Sequence, residues 1–154
     1  MIVAIGGDHA GFRLKQHLIP FIQNLGHSVE DCGAYSEEPV DFPDMAMKLC
    51  AMLLDKKADR GIMCCGTGVG AAIACNKIAG IRAALCHDTH CAHQCVEHDD
   101  VNVLCMGNWI IGIKVAEEIS TAFLNARFVQ SDDFVRRVAK LARLEEWSRS
   151  RMTK

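Results

Sequence analysis

The sequence predicts an α/β fold: a five-stranded parallel sheet with helices on both faces, ending in a long C-terminal helix. Five short β-rich runs alternate with helical patterns along the chain. The runs are close to continuously apolar, which suits strands buried on both faces rather than half-exposed ones. The residues with chemistry to offer follow the ends of these runs, where ligands gather in sheets of this kind.

The first strand is expected over residues 2–5, followed by Gly7-Asp8-His9 and a helix over 12–25 that Gly26 ends. After a second strand at 27–31, residues 32–43 carry two prolines, two glutamates and a serine and read as a long surface loop. A helix over 44–55 leads to a third strand at 60–64 and a glycine-rich turn into a helix over 69–77. The fourth strand, 82–86, precedes His87-Asp88 and a helix over 89–98. A fifth strand at 101–106 ends in Gly107-Asn108-Trp109, and Gly112 opens a helix over 113–125. Ser131-Asp132-Asp133 has the makeup of a cap and acidic first turn for a last helix, from 134 to about 147. That helix is long and basic, and is placed to reach across to a partner subunit.

A chain of 154 residues, half of them apolar, is expected to form one domain spanning 1–154. A formal charge of −2 gives no electrostatic reason to expect nucleic acid. No apolar run approaches the ~20 residues of a membrane span. The opening Met1-Ile2-Val3-Ala4-Ile5 lacks the basic start of a signal peptide. Nine cysteines, an odd number spread through strands and helices, fit a reduced cytoplasmic protein.

The stretch Cys64-Cys65-Gly66-Thr67-Gly68-Val69-Gly70 organises the rest. A strand entering a glycine-rich turn and a helix N-terminus leaves backbone N–H groups unpaired and aimed at one place, which favours an anion. Gly66, Gly68 and Gly70 let a ligand approach the backbone closely. The Cys65 thiol stands beside this turn, and a helix N-terminus is expected to lower its pKa from roughly 8.5 toward neutrality. A base next to an anion site is what proton abstraction requires. The alternative is that both cysteines fill the end of a buried strand as small apolar residues. Alternation along a strand permits one to be core and the other site.

Asp8 and His9 should stand at the sheet rim, unless Asp8 caps the first helix and His9 is simply exposed. His98-Asp99-Asp100 could supply an acid or be a solvated helix end. His87, Cys91, Cys95 and His98 share one helical face, but eleven residues of helix cover about 16 Å, too far for one ion to meet all four. No metal is therefore expected, and no other cofactor is expected where proton transfer alone moves the hydrogen. Asn76-Lys77 reads as a helix end with a cation favoured by the dipole.

Taken together, Gly7-Asp8-His9-Ala10-Gly11, Asp41-Phe42-Pro43-Asp44, Cys65-Gly66-Thr67-Gly68-Val69-Gly70, Asn76-Lys77, Gly80-Ile81-Arg82-Ala83 and His98-Asp99-Asp100-Val101-Asn102-Val103-Leu104 occur in family order. They resemble the ribose-5-phosphate isomerase B and galactose-6-phosphate isomerase family, from residue 1 to about 145. The resemblance implies a Rossmann-like three-layer sandwich and a metal-free aldose–ketose isomerase, a homodimer or homotetramer with active sites shared between subunits. It implies that Cys65 removes the proton beside the sugar carbonyl. The amides of Gly66 to Gly70 and the Thr67 hydroxyl would hold the cis-enediolate oxygen. His98 would assist ring opening, Asp8 would contact sugar hydroxyls, and His9 and Arg136 would bind the phosphate end.

Three residues depart from the family pattern. Asp99 stands where Asn is usual, Trp109 where an arginine usually follows the fifth strand, and Asp132 at the first of two arginines near the last helix, with Arg136 matching the second. The site is thus about four charge units more negative than the pattern, which works against a doubly charged phosphate. Two alternatives to a phosphopentose isomerase follow: an isomerase of a free or differently charged sugar, and a non-catalytic sugar-binding module.

Overall fold

The structure is a computed structural model and describes residues 1–152. The elements run β1 (Ile2–Gly7), α1 (Phe12–Asn24), β2 (Ser28–Asp31), α2 (Phe42–Leu54), β3 (Arg60–Cys65) and α3 (Val69–Cys75). They continue as β4 (Ala83–Leu85), α4 (Thr89–Asp99), β5 (Val103–Gly107), α5 (Ile113–Asn125) and α6 (Asp132–Met152). The strands form one parallel sheet in the order β2-β1-β3-β5-β4.

Side chains alternate across this sheet into two separate cores. Val3, Ile5, Ile62, Cys64, Leu104 and Met106 face α1, α4 and α5. Ala4, Met63, Cys65, Val103 and Cys105 face α2 and α3. The result is the expected helix–sheet–helix sandwich, with Cys64 and Cys65 on opposite faces.

Several boundaries move, for local reasons. β1 runs two residues past the expected end because Gly6 and Gly7 pair with Met63 and Cys64 of β3. That extension carries Asp8 to the level of Cys65. α2 starts at Phe42, with Pro43 in its first turn, where a missing N–H costs nothing. β4 keeps only three residues at the sheet edge, and the Asn76 side-chain amide bonds both the N–H and the C=O of Ala83 at 2.9 Å. Asn76 thus stands in for a neighbouring strand, a better account of it than a helix-end polar residue. α6 begins at Asp132 and extends beyond the expected end, packing on α4. Among the described residues, no helix is long and apolar enough to cross a membrane.

Candidate active site

The carboxyl ends of β1, β3 and β5 meet at the Cys65 thiol. Cys65 is the last residue of β3 and is 8 % exposed. Its Sγ donates to Asp8 Oδ2 at 2.8 Å, while Asp8 Oδ1 accepts the Gly11 N–H at 2.9 Å. Asp8 is itself buried. Its carboxylate therefore takes a bond just ahead of α1 and a bond from the thiol at once; the N-cap of α1 is Gly11, with no side-chain cap bond, so Asp8 stands at the sheet rim and does not cap the helix.

The electrostatics of the thiol differ from the expected ones. Burial pushes the Cys65 pKa up, and the hydrogen bond to Asp8 and the negative charge of Asp8 add to it. The backbone N–H groups of Gly68 and Gly66 pull the other way without prevailing. The expected lowering fails because burial and the adjacent carboxylate outweigh the amides of the turn. The sulfur nevertheless faces polar groups, not aliphatic side chains alone.

The turn after Cys65 has the form its glycines suggest. Gly68 adopts φ +79°, and a Cβ there would stand 2.5 Å from Leu85 Cδ1 and 3.0 Å from the Met106 carbonyl carbon. Thr67 is exposed, and its Oγ1 accepts the Val69 N–H at 3.4 Å. Gly70 lies against the Phe42 ring. The β5–α5 turn is tied to this loop, Asn108 N–H bonding Cys65 O and Trp109 N–H bonding Gly66 O, both at 2.9 Å. The Trp109 ring lies against Gly66 and remains 70 % exposed, flanking the thiol loop.

His9 reaches the same edge by another route. Its Nδ1 accepts the Val40 N–H at 3.3 Å, and it lines an open cleft of about 610 Å³ with Asp41, Asp44, Met47 and Lys48. That cleft opens beside the thiol loop and does not include Cys65.

The remaining expected site residues lie at the opposite pole. α4 runs back against the parallel strands, so His98 and Asp99, at its C-terminal end, are near the amino ends of β4 and β5. The His98 ring stacks on Phe134 of α6 at 4.1 Å between centroids. Asp100, next along, binds Arg82 just before β4 at 2.5 Å. Asp132 and Arg136 belong to α6, where Arg136 pairs with Asp133 at 2.6 Å and Arg137 lies 4.0 Å from the same carboxylate. A five-residue strand spans roughly 16 Å, so no single chain brings His98, Asp99, Asp132 and Arg136 to the thiol of Cys65.

Among the described residues, no group of three or more His, Cys, Asp or Glu side chains is placed to hold a metal ion. His87 lies ahead of α4, off the expected face, where its Nε2 accepts the Gly107 N–H at 3.1 Å, and Cys95 Sγ on α4 donates to Ala92 O at 3.3 Å. Sequence reasoning missed Asn108, whose side-chain amide also donates to Ala10 O at 2.9 Å and ties the β5 turn to the Asp8 loop. An asparagine directly after a strand's terminal glycine was the available signal.

The family model for ribose/galactose isomerases matches residues 3–141. The chain belongs to that family. Ribose-5-phosphate isomerase B of Escherichia coli K12 is 39 % identical over 126 residues, covering 82 % of this chain and 85 % of the relative. The D-erythrulose-4-phosphate isomerase of Pectobacterium atrosepticum is 40 % identical over 130 residues, covering 82 % and 84 %. The solved ribose-5-phosphate isomerase B of Clostridium thermocellum superposes with a TM-score of 0.93 at 38 % identity, covering 96 % of this chain and 99 % of that one. The family is one of sugar-phosphate isomerases of aldose–ketose type, and its Rossmann-like fold is the fold seen here.

Proposed function

We propose that the protein interconverts an aldose phosphate and the matching ketose phosphate through a cis-enediolate, with Cys65 as the base. The observation that carries this is the 2.8 Å contact between the Cys65 thiol and the Asp8 carboxylate beside a glycine-rich turn. The resting sulfur is protonated, so the base forms when its proton crosses to Asp8. The thiolate then takes the hydrogen from the carbon beside the carbonyl, and the electron pair moves onto the carbonyl oxygen. Amides of Gly66 to Gly70 and the Thr67 hydroxyl are the donors at hand for that oxygen, and fixed donors in a dry site stabilise such charge strongly. Sulfur returns the hydrogen to the neighbouring carbon while the hydroxyl proton moves between the two oxygens. Asp8 finally hands its proton back.

Ring opening and phosphate binding need groups that one chain keeps at its other pole. A second copy that presents His98, Asp99 and Arg136 to the Cys65 edge would complete the site. The exposed apolar side chains around that edge, among them Val69, Ile73, Trp109 and Ile110, favour such a neighbour. The sugar itself is the open variable. Relatives named for ribose 5-phosphate and for D-erythrulose 4-phosphate match almost equally, and Trp109 offers a ring face to the sugar instead of a cation. Arg136 is meanwhile shared with Asp133. These features favour a short sugar monophosphate or a less charged sugar.

Solvent exchange tests the reading. In heavy water the protein should place deuterium beside the carbonyl of ribose 5-phosphate, erythrulose 4-phosphate or a free sugar, and Cys65→Ala should not. Absence of exchange across such a panel would favour the binding-module alternative.

A further inference from the structure

Lys15 is a charged group the proposed chemistry leaves unused, and no part of its side chain reaches solvent. Its Nζ lies 2.5 Å from Asp31 Oδ1, at the end of β2. The ammonium otherwise faces the rings of Phe12 and Tyr35, 5.7 and 5.4 Å from their centroids. Removing an ammonium from water costs several kcal/mol, and well-packed apolar residues often do as well or better than a buried ion pair. Stability alone is a weak reason for such a pair. What the pair fixes in space is a better one.

The same Asp31 Oδ1 accepts the Gly33 N–H at 2.9 Å. The segment it holds closes on β1 from both sides: Gly7 N–H bonds Gly33 O at 2.7 Å, and Ala34 N–H bonds Gly7 O at 2.6 Å. Gly7 is directly followed by Asp8, whose N–H bonds Cys64 O at 3.2 Å. On the other side, the Lys15 N–H bonds Gly11 O at 3.0 Å, and Gly11 is the residue whose N–H holds Asp8 Oδ1. Lys15 therefore joins the first turn of α1 to the segment leaving β2, and Asp8 lies between them. The other titratable groups near this junction are Tyr35, whose hydroxyl donates to Asp31 O at 3.0 Å, Cys64, which feels both Lys15 and Asp8, and Cys32, which feels Asp31, Glu30 and Lys15.

We propose that Lys15, through Asp31 and the Gly33–Gly7 hydrogen bonds, is a positioning residue that holds the Asp8 carboxylate against the Cys65 thiol. It touches neither the sulfur nor the sugar. The proposal rests on the reading of Cys65 and Asp8 as the acid–base pair, but its test does not need turnover.

The test is the pH profile of Cys65 alkylation, followed at the Cys65 peptide by mass spectrometry, in the wild type and in Lys15→Met/Asp31→Asn. The double variant strands no charge, and its asparagine keeps an acceptor for the Gly33 N–H. If Lys15 positions Asp8, the thiol loses its carboxylate contact and its alkylation midpoint moves to lower pH, toward the ~8.5 of a free thiol. kcat for whichever sugar the wild type isomerises should fall on the order of tenfold or more with little change in KM, as expected when reacting groups are misplaced. A variant that unfolds at lower denaturant but keeps the wild-type alkylation midpoint overturns the proposal, because a purely structural lysine would behave that way. If the double variant fails to fold, Asp31→Asn alone is read by the same midpoint, and an unchanged value has the same meaning. If the wild type isomerises nothing, the isomerase reading falls while the alkylation midpoint still decides the role of Lys15.

Discussion

At the residue scale the Cys65–Asp8 contact makes a demand that runs against ordinary thiol activation. Burial, the Asp8 hydrogen bond and the Asp8 charge all hold the Cys65 proton on sulfur, so reactivity toward an alkylating agent and competence as a base are set by opposite features. In Asp8→Asn the negative charge that raises the thiol disappears and the bond it accepts from sulfur weakens to one with a neutral amide, while the amides of Gly68 and Gly66 remain to favour the thiolate. Alkylation of Cys65 near neutral pH should therefore speed up, with its midpoint moving to lower pH. Isomerisation should slow by on the order of 10²-fold, because no carboxylate remains to receive the proton in the sugar complex. Comparing the two rates in one protein checks the account, and parallel rise or parallel fall would refute it. The residue types of this site were legible in the sequence, since a cysteine before three spaced glycines and an aspartate after the first strand are both local signals. Their contact was not. It depends on β1 running on to Gly7 and on the register that sets Gly7 opposite Cys64, which no local pattern specifies.

At the element scale, the order and type of all eleven elements follow from periodicity and turn residues, while their ends follow from tertiary contacts. The start of α1 shows the difference. α1 opens at Gly11, against the carbonyl of Cys64: a Cβ there would lie 2.2 Å from both the carbon and the oxygen of that group. The helix can approach the sheet so closely only because that side chain is absent, and the approach is what lets the Gly11 N–H reach Asp8. Both backbone segments are pinned, Asp8 by Cys64 and α1 by its buried face of Leu14, Leu18 and Ile22, so neither can yield cheaply. Gly11→Ala should therefore cost several kcal/mol, at the upper end of single substitutions, and chemical denaturation measures it. A loss of under about 1 kcal/mol would mean that the entrance to α1 moves freely. The glycine was visible in the sequence as part of the Asp-His-Ala-Gly run, but its reason, contact with another strand's backbone, lies in the third dimension.

At the scale of the whole molecule, the proposed site residues are divided between two poles of one sheet. The Cys65 edge carries the proposed base, its acceptor and the backbone donors; the opposite edge carries His98, Asp99 and Arg136. Alternating strands and helices dictate this, because each helix returns the chain to the far edge, so a residue that ends a helix cannot share an edge with one that ends a strand. The division was implicit in the strand–helix alternation, which ends a helix at His98 and a strand beside Cys65, while family resemblance suggested shared sites. A two-fold assembly would place the Cys65 edge of one copy against the His98 edge of the other, forming two equivalent sites. Subunit mixing follows directly. Cys65→Ala and His98→Asn should each be inactive, or nearly so, on a ring-forming sugar phosphate. In a mixed dimer both lesions fall in one site, and the other is built from an intact Cys65 and an intact His98. Equal mixing with complete subunit exchange makes about half of the dimers mixed, so recovery should approach roughly a quarter of wild-type activity. Native mass spectrometry confirms the exchange independently of activity. Mixed dimers present without recovered turnover would mean that His98 serves the chain that carries it, or none, and that the second copy does not complete the site.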